Sequence, residues 1–420
     1  MRKTVFTILG TLVVAVVAVN LTRPEKKIQH SMDHLYGSDD DQLEREMGAL
    51  LGPAILEGNE ITPLHNGVEI FPAMLAAIRE ARRTITFETF IYWSGRIGRE
   101  FADALAERAR AGVRVHVMLD WLGSSRMKEE LVEEMRAAGV EVERYHPLRW
   151  YNIGRLNNRT HRKVLIVDGE VGFTGGVGIA DHWLGNAQDE EHWRDMHFRI
   201  RGPVVAQMQA AFLDNWIKTT GSVLHGREYF PPLQQEGRLR AHLFTSSSAG
   251  GSESMRLMYL TAITACCHRI DIAAAYFVPD ELMSRELLRA RERGVRIRIV
   301  LPDRHIDAVT VGIASKRAWG PLLAGGVEIY EYAPTMFHCK MLIFDQRVVS
   351  VGSTNFDMRS FELNDEASLN VYDPRFAAEM TQVFENDLAR ARPITLETWM
   401  ARPLGQKVAE VVVDPVKSQL

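Results

Sequence analysis

Two copies of a His-Lys-Asp pattern are the part of this sequence best equipped for chemistry. Each copy has the form His-x-Lys-x4-Asp, and the second follows the first by 177 positions: His161, Lys163 and Asp168, then His338, Lys340 and Asp345. The His and the Lys of a copy are two residues apart, so on an extended strand their side chains project from the same face. One copy alone is equally consistent with a satisfied strand histidine beside a solvated lysine. A core histidine has no reason to recur with the same Lys and Asp in both halves, so the duplication favours a reactive centre.

Two imidazoles and two ammonium groups around one centre are suited to phosphate chemistry. Pseudo-twofold packing of the two halves would bring both His-Lys pairs to a single cleft. One imidazole can attack phosphorus and form a covalent phosphohistidine, while the other protonates the leaving alcohol and then deprotonates the incoming one. An imidazole titrates near ~6.5, so a neutral nucleophile and a protonated acid coexist near neutral pH when their surroundings differ slightly. The lysines would hold the non-bridging oxygens, and this chemistry requires neither a metal nor another cofactor.

Each imidazole also needs a group that fixes its tautomer and orientation. Asp195 lies 34 residues after His161, and Glu366 lies 28 residues after His338. A following strand could carry each of these carboxylates behind a histidine. Both are also consistent with ordinary surface carboxylates.

Further candidate phosphate ligands lie in the segment 352–357, which reads Gly-Ser-Thr-Asn-Phe-Asp. Ser353 and Asn355 could donate hydrogen bonds to phosphoryl oxygens, or they could cap a helix. These roles are compatible. The predicted phosphate-binding side chains are therefore Lys163, Lys340, Ser353 and Asn355.

The motifs belong to a chain whose two halves are written in the same order. Residues 112–120 reappear as 294–301, each time as a Gly-Val pair and a β-branched run after a helical pattern, and 138–142 is echoed by 325–329. The order of helix, strand, helix, strand and third strand predicts an α/β fold. Continuous apolar strands such as 164–167 indicate a parallel or mixed sheet covered by helices on both faces.

Changes in composition predict how the chain is divided. Pro231, Pro232 and the Ser- and Gly-rich run 245–254 are typical of a linker or surface loop, and the two copies meet there. The predicted segments are a membrane anchor (1–27), a charged juxtamembrane segment (28–60), a first domain (61–222), a linker (223–250), a second domain (251–400) and a C-terminal tail (401–420).

The first copy carries ten extra residues between Pro147 and His161, which we predict to form a loop. The insert contains aromatic and basic side chains, namely Arg149, Trp150, Tyr151 and Arg155. Such a mixture suits an interfacial lid near anionic headgroups, and it is equally consistent with a solvated loop.

The N-terminus has the composition of a membrane segment. Residues 5–21 carry no charge and are rich in Val, Leu, Ile and Ala, with basic residues on both sides. Seventeen residues of helix span roughly 26 Å, close to the ~30 Å hydrocarbon core of a bilayer. Because the cleavage-site match at 16–18 is weak, we expect one uncleaved anchor rather than a removed signal peptide. The flanking basic residues nearly balance, so the side of the membrane that holds the centre stays open.

The overall composition restricts the remaining function classes. A chain of 420 residues with 46% hydrophobic and 25% charged residues is globular and large enough for two domains, which excludes collagen, coiled coil and wholesale disorder. A net charge of −4 supplies no bulk attraction to nucleic acid, and no nucleic-acid partner is expected. Cys266, Cys267 and Cys339 form neither a disulfide framework nor the ligand spacing of a zinc site.

The duplicated motif resembles the name-giving signature of the phospholipase D superfamily. Within that superfamily the chain is most similar to bacterial cardiolipin synthases, through five segments: His161-Arg162-Lys163, Phe173-Thr174-Gly175-Gly176, Trp193-Arg194-Asp195, Tyr276-Phe277-Val278-Pro279-Asp280 and the run from Gly352 to Asn364. The similarity covers roughly residues 65–390. It implies two tandem phospholipase D-like α/β/α sandwich domains related by pseudo-twofold symmetry, with an N-terminal membrane helix.

The resemblance also implies a role for each candidate residue. His161 would be the nucleophile, His338 the acid/base partner, Lys163 and Lys340 the phosphate ligands, and Asp195 and Glu366 the carboxylates behind the histidines. The motif aspartates, Asp168 and Asp345, then have a structural role within the catalytic motif. The chain departs from the family at Gly178, where an Asn is common, and in showing one N-terminal membrane segment where two are common.

The implied activity is a phosphatidyltransferase reaction at the inner (cell) membrane of a bacterium. A phosphatidyl group would pass from phosphatidylglycerol to a second phosphatidylglycerol, giving cardiolipin and glycerol. The expected partners are anionic phospholipids and the membrane, with phosphatidylethanolamine as another possible substrate, and the oligomeric state stays open. A phospholipase D that passes the group to water would use the same residues, and a superfamily nuclease or phosphodiesterase is a further alternative.

Overall fold

The computed structural model describes Thr11 and residues 28–147, 158–247 and 253–414. Within these residues the chain forms twelve α-helices: α1 (Asp41–Leu50), α2 (Asn66–Glu80), α3 (Arg96–Arg110), α4 (Glu129–Ala137), α5 (Val205–Thr220), α6 (Ser254–Ala265), α7 (Glu281–Glu292), α8 (Val309–Ala324), α9 (Met358–Glu362), α10 (Pro374–Leu388), α11 (Leu396–Met400) and α12 (Leu404–Val413). A 3-10 helix covers Asp181–Trp183.

The same residues form eighteen strands. They are β1 (Leu56–His65), β2 (Thr84–Thr89), β3 (Arg114–Asp120), β4 (Glu141–Tyr145), β5 (Arg159–Thr160), β6 (Val164–Val167), β7 (Val171–Gly175), β8 (Met196–Arg201), β9 (Leu239–Ser246), β10 (Arg269–Ala274), β11 (Phe277–Val278), β12 (Arg296–Pro302), β13 (Glu328–Tyr332), β14 (Lys340–Phe344), β15 (Val348–Gly352), β16 (Phe356–Asp357), β17 (Asn364–Tyr372) and β18 (Ala391–Ile394).

Sixteen of these strands join in one sheet whose two halves have the same order. The antiparallel pair β1 and β9 lies at the centre. From β1 outwards the order is β8, β7, β6, β2, β3 and β4, and from β9 outwards it is β17, β15, β14, β10, β12 and β13, with β18 at the second edge. The outer strands β2, β3 and β4 are parallel, as are β10, β12 and β13, and the inner strands are antiparallel. The predicted mixed α/β fold with two equivalent halves is confirmed.

Helices cover both faces of the sheet and create three large hydrophobic cores, beside one small cluster around Val278 and Val311. One core lies under α2, α3 and α4 in the first half, and another lies under α6, α7 and α8 in the second half. The third is shared between the halves, where α5 and α10 pack on the central strands through Phe212, Trp216, Phe376 and Phe384. Because this shared core buries large aromatic side chains from both halves, it holds the two motif-bearing strands in a fixed relation.

The structure differs from the predicted division of the chain in three places. Residues 28–51 pack on the second half, where Leu43 and Met47 enter its core, instead of forming a separate juxtamembrane segment. The predicted linker 223–250 contains β9, whose residues Leu239, Ala241 and Leu243 are buried in the central sheet. The predicted tail contains α12. For residues 28–51 and for β9, local polar composition conceals buried apolar side chains that tertiary packing stabilises. The helix α12 instead buries Glu410 and leaves four apolar side chains exposed.

Two sequence predictions fall where the structure gives no description. The predicted anchor at 5–21 lies outside the described residues apart from Thr11, and the predicted loop at 148–157 lies wholly outside them. None of the helices in the described part of the chain is long and apolar enough to cross a membrane.

Candidate active site

Each histidine of the repeated motif is positioned by backbone pairing with the opposite half. β5 leads directly into His161 and pairs with β17 of the second half. The equivalent bridge pairs Phe337, just before His338, with Arg194 of the first half. The backbone N–H of His161 donates to the carbonyl oxygen of Asp365 at 2.8 Å, and that of His338 donates to the carbonyl oxygen of Arg194 at 2.8 Å. The two motifs therefore enter one centre across the interface between the halves.

The carboxylates behind the two histidines are exchanged between the halves. Nδ1 of His161 lies 3.0 Å from both carboxylate oxygens of Glu366, and Nδ1 of His338 lies 2.7 Å from Oδ2 of Asp195. All four side chains are buried. The residue types expected behind the histidines are thus found there. The carboxylate that follows each histidine in sequence, however, lies behind the other histidine.

Additional donors hold both carboxylates. Oγ of Ser353 donates to Glu366 at 2.5 Å, and Nδ2 of Asn364 donates to it at 3.2 Å. Nε1 of Trp183 donates to Asp195 at 2.9 Å. Burial opposes the charge of both carboxylates, but the neighbouring histidine and hydrogen bonds outweigh it, so the pKa of each carboxyl lies below its usual range. Each carboxylate is therefore ionised and keeps Nδ1 of its imidazole as a donor.

The two lysines place positive charge at the same centre. Nζ of Lys163 donates to the carbonyl oxygen of His161 at 2.9 Å, and Nζ of Lys340 donates to that of His338 at 2.8 Å. Nζ of Lys340 also lies 3.1 Å from both ring nitrogens of His338. Burial, together with the charge of Lys340, lowers the pKa of Lys163 to about 7, and burial lowers the pKa of Lys340. A bound phosphate would supply negative charge between the two lysines and so stabilise their charged forms.

Both imidazoles are neutral at neutral pH in the free protein. Burial, together with the charges of Lys163 and Lys340, lowers the pKa of His161 to about 4 against the opposing effect of Glu366. Burial and the charge of Lys340 also lower the pKa of His338. A neutral imidazole whose Nδ1–H faces a carboxylate carries a lone pair on Nε2, which is the form required of a nucleophile or a base.

Aromatic rings pack on each imidazole, and no role for them was predicted from the sequence. The ring of Phe90 meets that of His161 edge-on, with centroids 5.1 Å apart. Trp183 and Trp193 lie 5.3 and 5.6 Å from the ring of His338. Trp193 belongs to the Trp-Arg-Asp segment quoted for the family resemblance, and that segment was the one sequence feature that could have indicated its position beside His338. These rings limit rotation of the imidazoles and keep water from the centre.

The motif aspartates lie at the far end of β6 and β14 from the histidines. Asp168 has a φ of 54° and accepts the backbone N–H groups of Arg82, Arg83 and Thr84 at 2.7–3.2 Å. Asp345 has a φ of 50° and accepts three equivalent N–H groups, all at 2.7 Å. Each aspartate ties the turn after its motif strand to the start of the neighbouring strand. This geometry supports the structural role that the resemblance implies for both residues.

The predicted phosphate donors of the second half are placed differently from one another. Ser353 donates its hydroxyl proton to Glu366, so its contact in this structure is with the carboxylate. Asn355 is buried, and its Oδ1 has no hydrogen-bond partner among the described residues. Neither residue caps α9, because Asp357 fills that role by accepting from Ser360. At Gly178, the equivalent of Asn355, a Cβ would lie 2.8 Å from Cβ of Ile91, so this side of the centre has no room for an Asn.

Two buried arginines support the centre and were not singled out as functional from the sequence. Arg162 is fully buried and donates to the carbonyl oxygen of Ala211 at 2.6 Å and to Asp214 at 3.0 Å. Arg194 forms a two-pronged pair with Asp387 at 2.8 and 2.9 Å. Because α5 carries Asp214 and α10 carries Asp387, both arginines fix motif segments to the helices of the shared core. Their positions next to His161 and Asp195 were visible in the sequence, but their partners were not.

The described residues contain no group of three or more His, Cys, Asp or Glu side chains placed to hold a metal ion. The donors that converge on the centre are imidazole and ammonium nitrogens with two carboxylates behind them. Such a set can bind a phosphodiester anion, attack its phosphorus and transfer a proton to and from an alcohol.

The comparisons with known proteins agree with this centre. The family described as "Cardiolipin synthase, PLD-like domain" matches residues 74–216 and 259–388. A cardiolipin synthase of Geobacillus sp. (strain WCH70) is 35% identical over 356 residues, covering 84% of this chain and 71% of that protein. Cardiolipin synthase A of Pseudomonas syringae pv. syringae (strain B728a) is 33% identical over 378 residues, covering 88% of this chain and 77% of that protein.

A solved structure shares the fold. Phosphatidylserine synthase of Haemophilus influenzae Rd KW20 superposes with a TM-score of 0.69 at 14% identity, covering 91% of this chain and 100% of that one. The two phospholipase D-like segments and their arrangement are therefore shown. The chain belongs to the phospholipase D-like cardiolipin synthase family, and it is an enzyme of the phosphatidyltransferase class.

Proposed function

We propose that this enzyme transfers a phosphatidyl group from one phosphatidylglycerol to a second through a covalent phosphohistidine on His161. The observation that carries the proposal is the pair of exchanged His-carboxylate contacts beside two buried lysines. A single half would supply one imidazole, together with a carboxylate that contacts the imidazole of the other half. The assembled centre supplies two oriented imidazoles, which a double-displacement reaction needs.

In the first step Nε2 of His161 attacks the phosphorus of phosphatidylglycerol. The N–P bond forms, the bond from phosphorus to the headgroup oxygen breaks, and the electron pair leaves on that oxygen. His338, which becomes protonated when the substrate anion binds beside it, gives its Nε2 proton to the oxygen and releases glycerol. The exchanged carboxylate of Glu366 stabilises the positive charge on His161 as the bond forms.

In the second step His338 acts as a base. Its neutral Nε2 takes the proton of a headgroup hydroxyl on the second phosphatidylglycerol, whose oxygen attacks the phosphorus. The N–P bond breaks, the electron pair returns to His161, and cardiolipin leaves. Lys163 and Lys340 remain on the non-bridging oxygens in both steps, where negative charge concentrates in the transition state.

The proposed substrates are membrane lipids, which gives the N-terminal segment a role. The apolar run 5–21, of which the structure describes only Thr11, is our proposed anchor, and it would keep the centre at the membrane of a bacterial cell. The acceptor headgroup distinguishes the proposed transferase from a hydrolase, because His338 could activate water in the same way.

The test is an assay of the full chain with phosphorus-labelled phosphatidylglycerol in vesicles, with and without added phosphatidylethanolamine. We expect cardiolipin and glycerol in equal amounts, and a labelled protein that survives quenching in alkali but not in acid, as a phosphohistidine does. His161→Ala should remove both products and the labelled protein. His225→Ala is the matched control, because His225 is exposed and distant in sequence from the motifs.

The other outcomes assign a different function. Phosphatidic acid as the main product would make the enzyme a hydrolase. Cleavage of nucleic acid or of a simple phosphodiester without any lipid turnover would refute the lipid proposal. Cardiolipin formation that persists in His161→Ala would exclude His161 as the nucleophile.

A further inference from the structure

A cavity of ≈ 340 Å³ lies on the second-half side of the centre, at the carboxyl ends of β10 and β12. Its walls are mostly apolar, and the larger side chains are Phe277, Leu301, Ile306, Val311, Ile313 and Trp319. Exposed side chains, Val309 and Arg304, also belong to the lining, so the cavity opens to the surface. Its size and its apolar walls are those of a site for a small organic ligand or for part of a larger one.

One short segment of the chain links the lining of the cavity to the reactive centre. Ala274, the last residue of β10, pairs with Lys340. Two residues later Tyr276 lines the cavity, and its hydroxyl donates to Asp307 at 2.7 Å. The charge of Asp307 acts on both His338 and Lys340. A molecule whose phosphate lies between the lysines could therefore place its remainder in the cavity.

The first half is built differently at the equivalent positions. By the shared strand order, Phe90 and Ile91 occupy the places of Ala275 and Tyr276. Phe90 packs on His161, and Ile91 fills the space beside Gly178. The two halves thus differ in the side chains at these positions, although the backbone is duplicated.

The outer wall of the cavity is a helix with an exposed apolar face. Gln406 of α12 lines the cavity, and Val413 packs against Val278 and Val311 beside it. The opposite face of α12 exposes four apolar side chains at helical spacing: Leu404, Val408, Val411 and Val412, the first being 78% exposed. An apolar stripe on a surface helix is covered by a lipid surface or by another protein. Val309, which also lines the cavity, is a further apolar side chain that is 65% exposed.

Cationic side chains lie along the same opening. Arg304 pairs with Glu190 at 3.3 Å, and Lys316 pairs with Glu331 at 3.1 Å. Both lysine and arginine side chains combine an apolar stem with a charged end, which suits the boundary between acyl chains and anionic headgroups.

We propose that this cavity binds an acyl chain of the phospholipid whose phosphate reacts at the centre, with the exposed face of α12 in contact with the bilayer. The proposal rests on the proposed function, because it assumes a phospholipid substrate. An acyl chain could then pass from the bilayer into the cavity along an apolar path. The centre would hold the phosphate, and the acyl chain in the cavity would determine how far the lipid enters the protein.

The first experiment compares two phosphatidylglycerols, one with long chains in vesicles and one with six-carbon chains in solution. Ile313→Asp and Val309→Asp place a charge in the wall and at the mouth of the cavity. We expect KM for the long-chain lipid to rise about tenfold, as expected for loss of a few methylene contacts, while kcat/KM for the short-chain lipid stays within about twofold.

The matched control is Val68→Asp, because Val68 also stands in the first turn of a helix and is 53% exposed, but on α2 of the first half. It should leave both substrates unchanged. Equal losses with both substrates in the cavity variants, or no loss with either, would overturn the proposal. Thermal unfolding of each variant identifies any that fail to fold.

The second experiment measures lipid binding by a signal that does not depend on turnover. Phosphatidylglycerol with a brominated acyl chain quenches tryptophan fluorescence only at short range. We expect quenching in the original protein that is largely lost in Trp319→Phe, because Trp319 lines the cavity. Quenching that is unaffected by Trp319→Phe would refute an acyl site here. If quenching occurs as expected but no cardiolipin forms, the proposed function fails and the acyl site stands.

Discussion

The His161 side and the His338 side of the centre share a backbone but differ in nearly every supporting side chain. Both histidines donate a backbone hydrogen bond to the opposite half, and each has a carboxylate at its Nδ1. On the first side the longer Glu366 is held by Ser353. On the second side the shorter Asp195 is held by Trp183, and Gly176 takes the place of a serine because a Cβ there would lie 2.2 Å from the carboxylate.

This difference shows how a duplicated fold can support two distinct chemical roles. His161 lies edge-on to Phe90 and is bound only through Nδ1 by Glu366, which suits a nucleophile that must present a free lone pair. His338 lies between Trp183, Trp193 and the ammonium group of Lys340, which suits a group that exchanges protons. Symmetry positions the two imidazoles, and their unequal environments are consistent with the two tasks proposed for them.

The largest expected effect separates the two histidines. His161→Ala should remove turnover entirely, while His338→Ala should lower kcat by about 10²- to 10⁴-fold, the usual contribution of an acid/base group. With a phosphatidyl substrate whose leaving group needs no proton, such as nitrophenol, His338→Ala should form the phosphohistidine at nearly the original rate, and His161→Ala should not. Burst kinetics measure this step. A burst in His161→Ala but not in His338→Ala would reverse the assignment.

The exchanged carboxylates give the next largest effect. Glu366→Gln and Asp195→Asn keep the shape of each side chain but lose the charge that holds the imidazole tautomer, so each should lower kcat by about 10²- to 10⁴-fold. Because the contacts cross, Glu366→Gln should impair the burst as His161→Ala does. Asp195→Asn should recover with the nitrophenyl substrate as His338→Ala does. The opposite pattern would mean that each carboxylate serves the histidine of its own half.

The third prediction concerns stability, where the halves also differ. Arg162→Met removes a buried guanidinium that pairs with Asp214 and donates to three carbonyl oxygens, and we expect the free energy of unfolding to fall by about 3–5 kcal/mol. Cys339, at the equivalent position of the second motif, is buried without such a network. Cys339→Ala should cost only about 1 kcal/mol. Urea unfolding measures both values, and similar losses would show that Arg162 has no special structural role.

The motif aspartates should behave alike in the two halves. Asp168→Ala and Asp345→Ala each leave three backbone N–H groups without an acceptor, so each should lower the free energy of unfolding by about 1–3 kcal/mol. The activity of the remaining folded protein should stay within a few-fold of the original. A large loss of kcat in a fully folded variant would instead give these residues a direct part in catalysis.

The smallest expected effect is on pH dependence. The pKa of Lys163 is about 7, so above that pH Lys163 loses its positive charge and kcat/KM should fall about tenfold per pH unit. His161, with a pKa of about 4, stays neutral through this range and should limit activity only in acid. The arginine in Lys163→Arg cannot lose its charge, so the fall of kcat/KM should begin at a higher pH, with a lower maximal rate. If the fall of kcat/KM at alkaline pH is unchanged in that variant, the titrating group is not Lys163.

The amino-acid sequence alone carried much of the candidate site. The duplicated His-x-Lys pairs, the two carboxylates and the α/β order of each half were recognisable because residue type and spacing are local properties. Two features could not be recognised from the sequence: the packing of residues 28–51 on the second half, and the strand β9 inside the predicted linker. Both depend on apolar residues that are scattered locally and become a continuous surface only in the folded sheet.

The sequence by itself determined which groups are available for chemistry: two imidazoles, two ammonium groups and two carboxylates, each at a position that duplication makes conspicuous. Only the tertiary structure decided which of these groups meet. Asp195 lies behind His338 and Glu366 behind His161 because β5 and the segment before His338 pair with the backbone of the opposite half. Pairing between strands far apart in sequence depends on the registers of the whole sheet, so no local pattern could specify it.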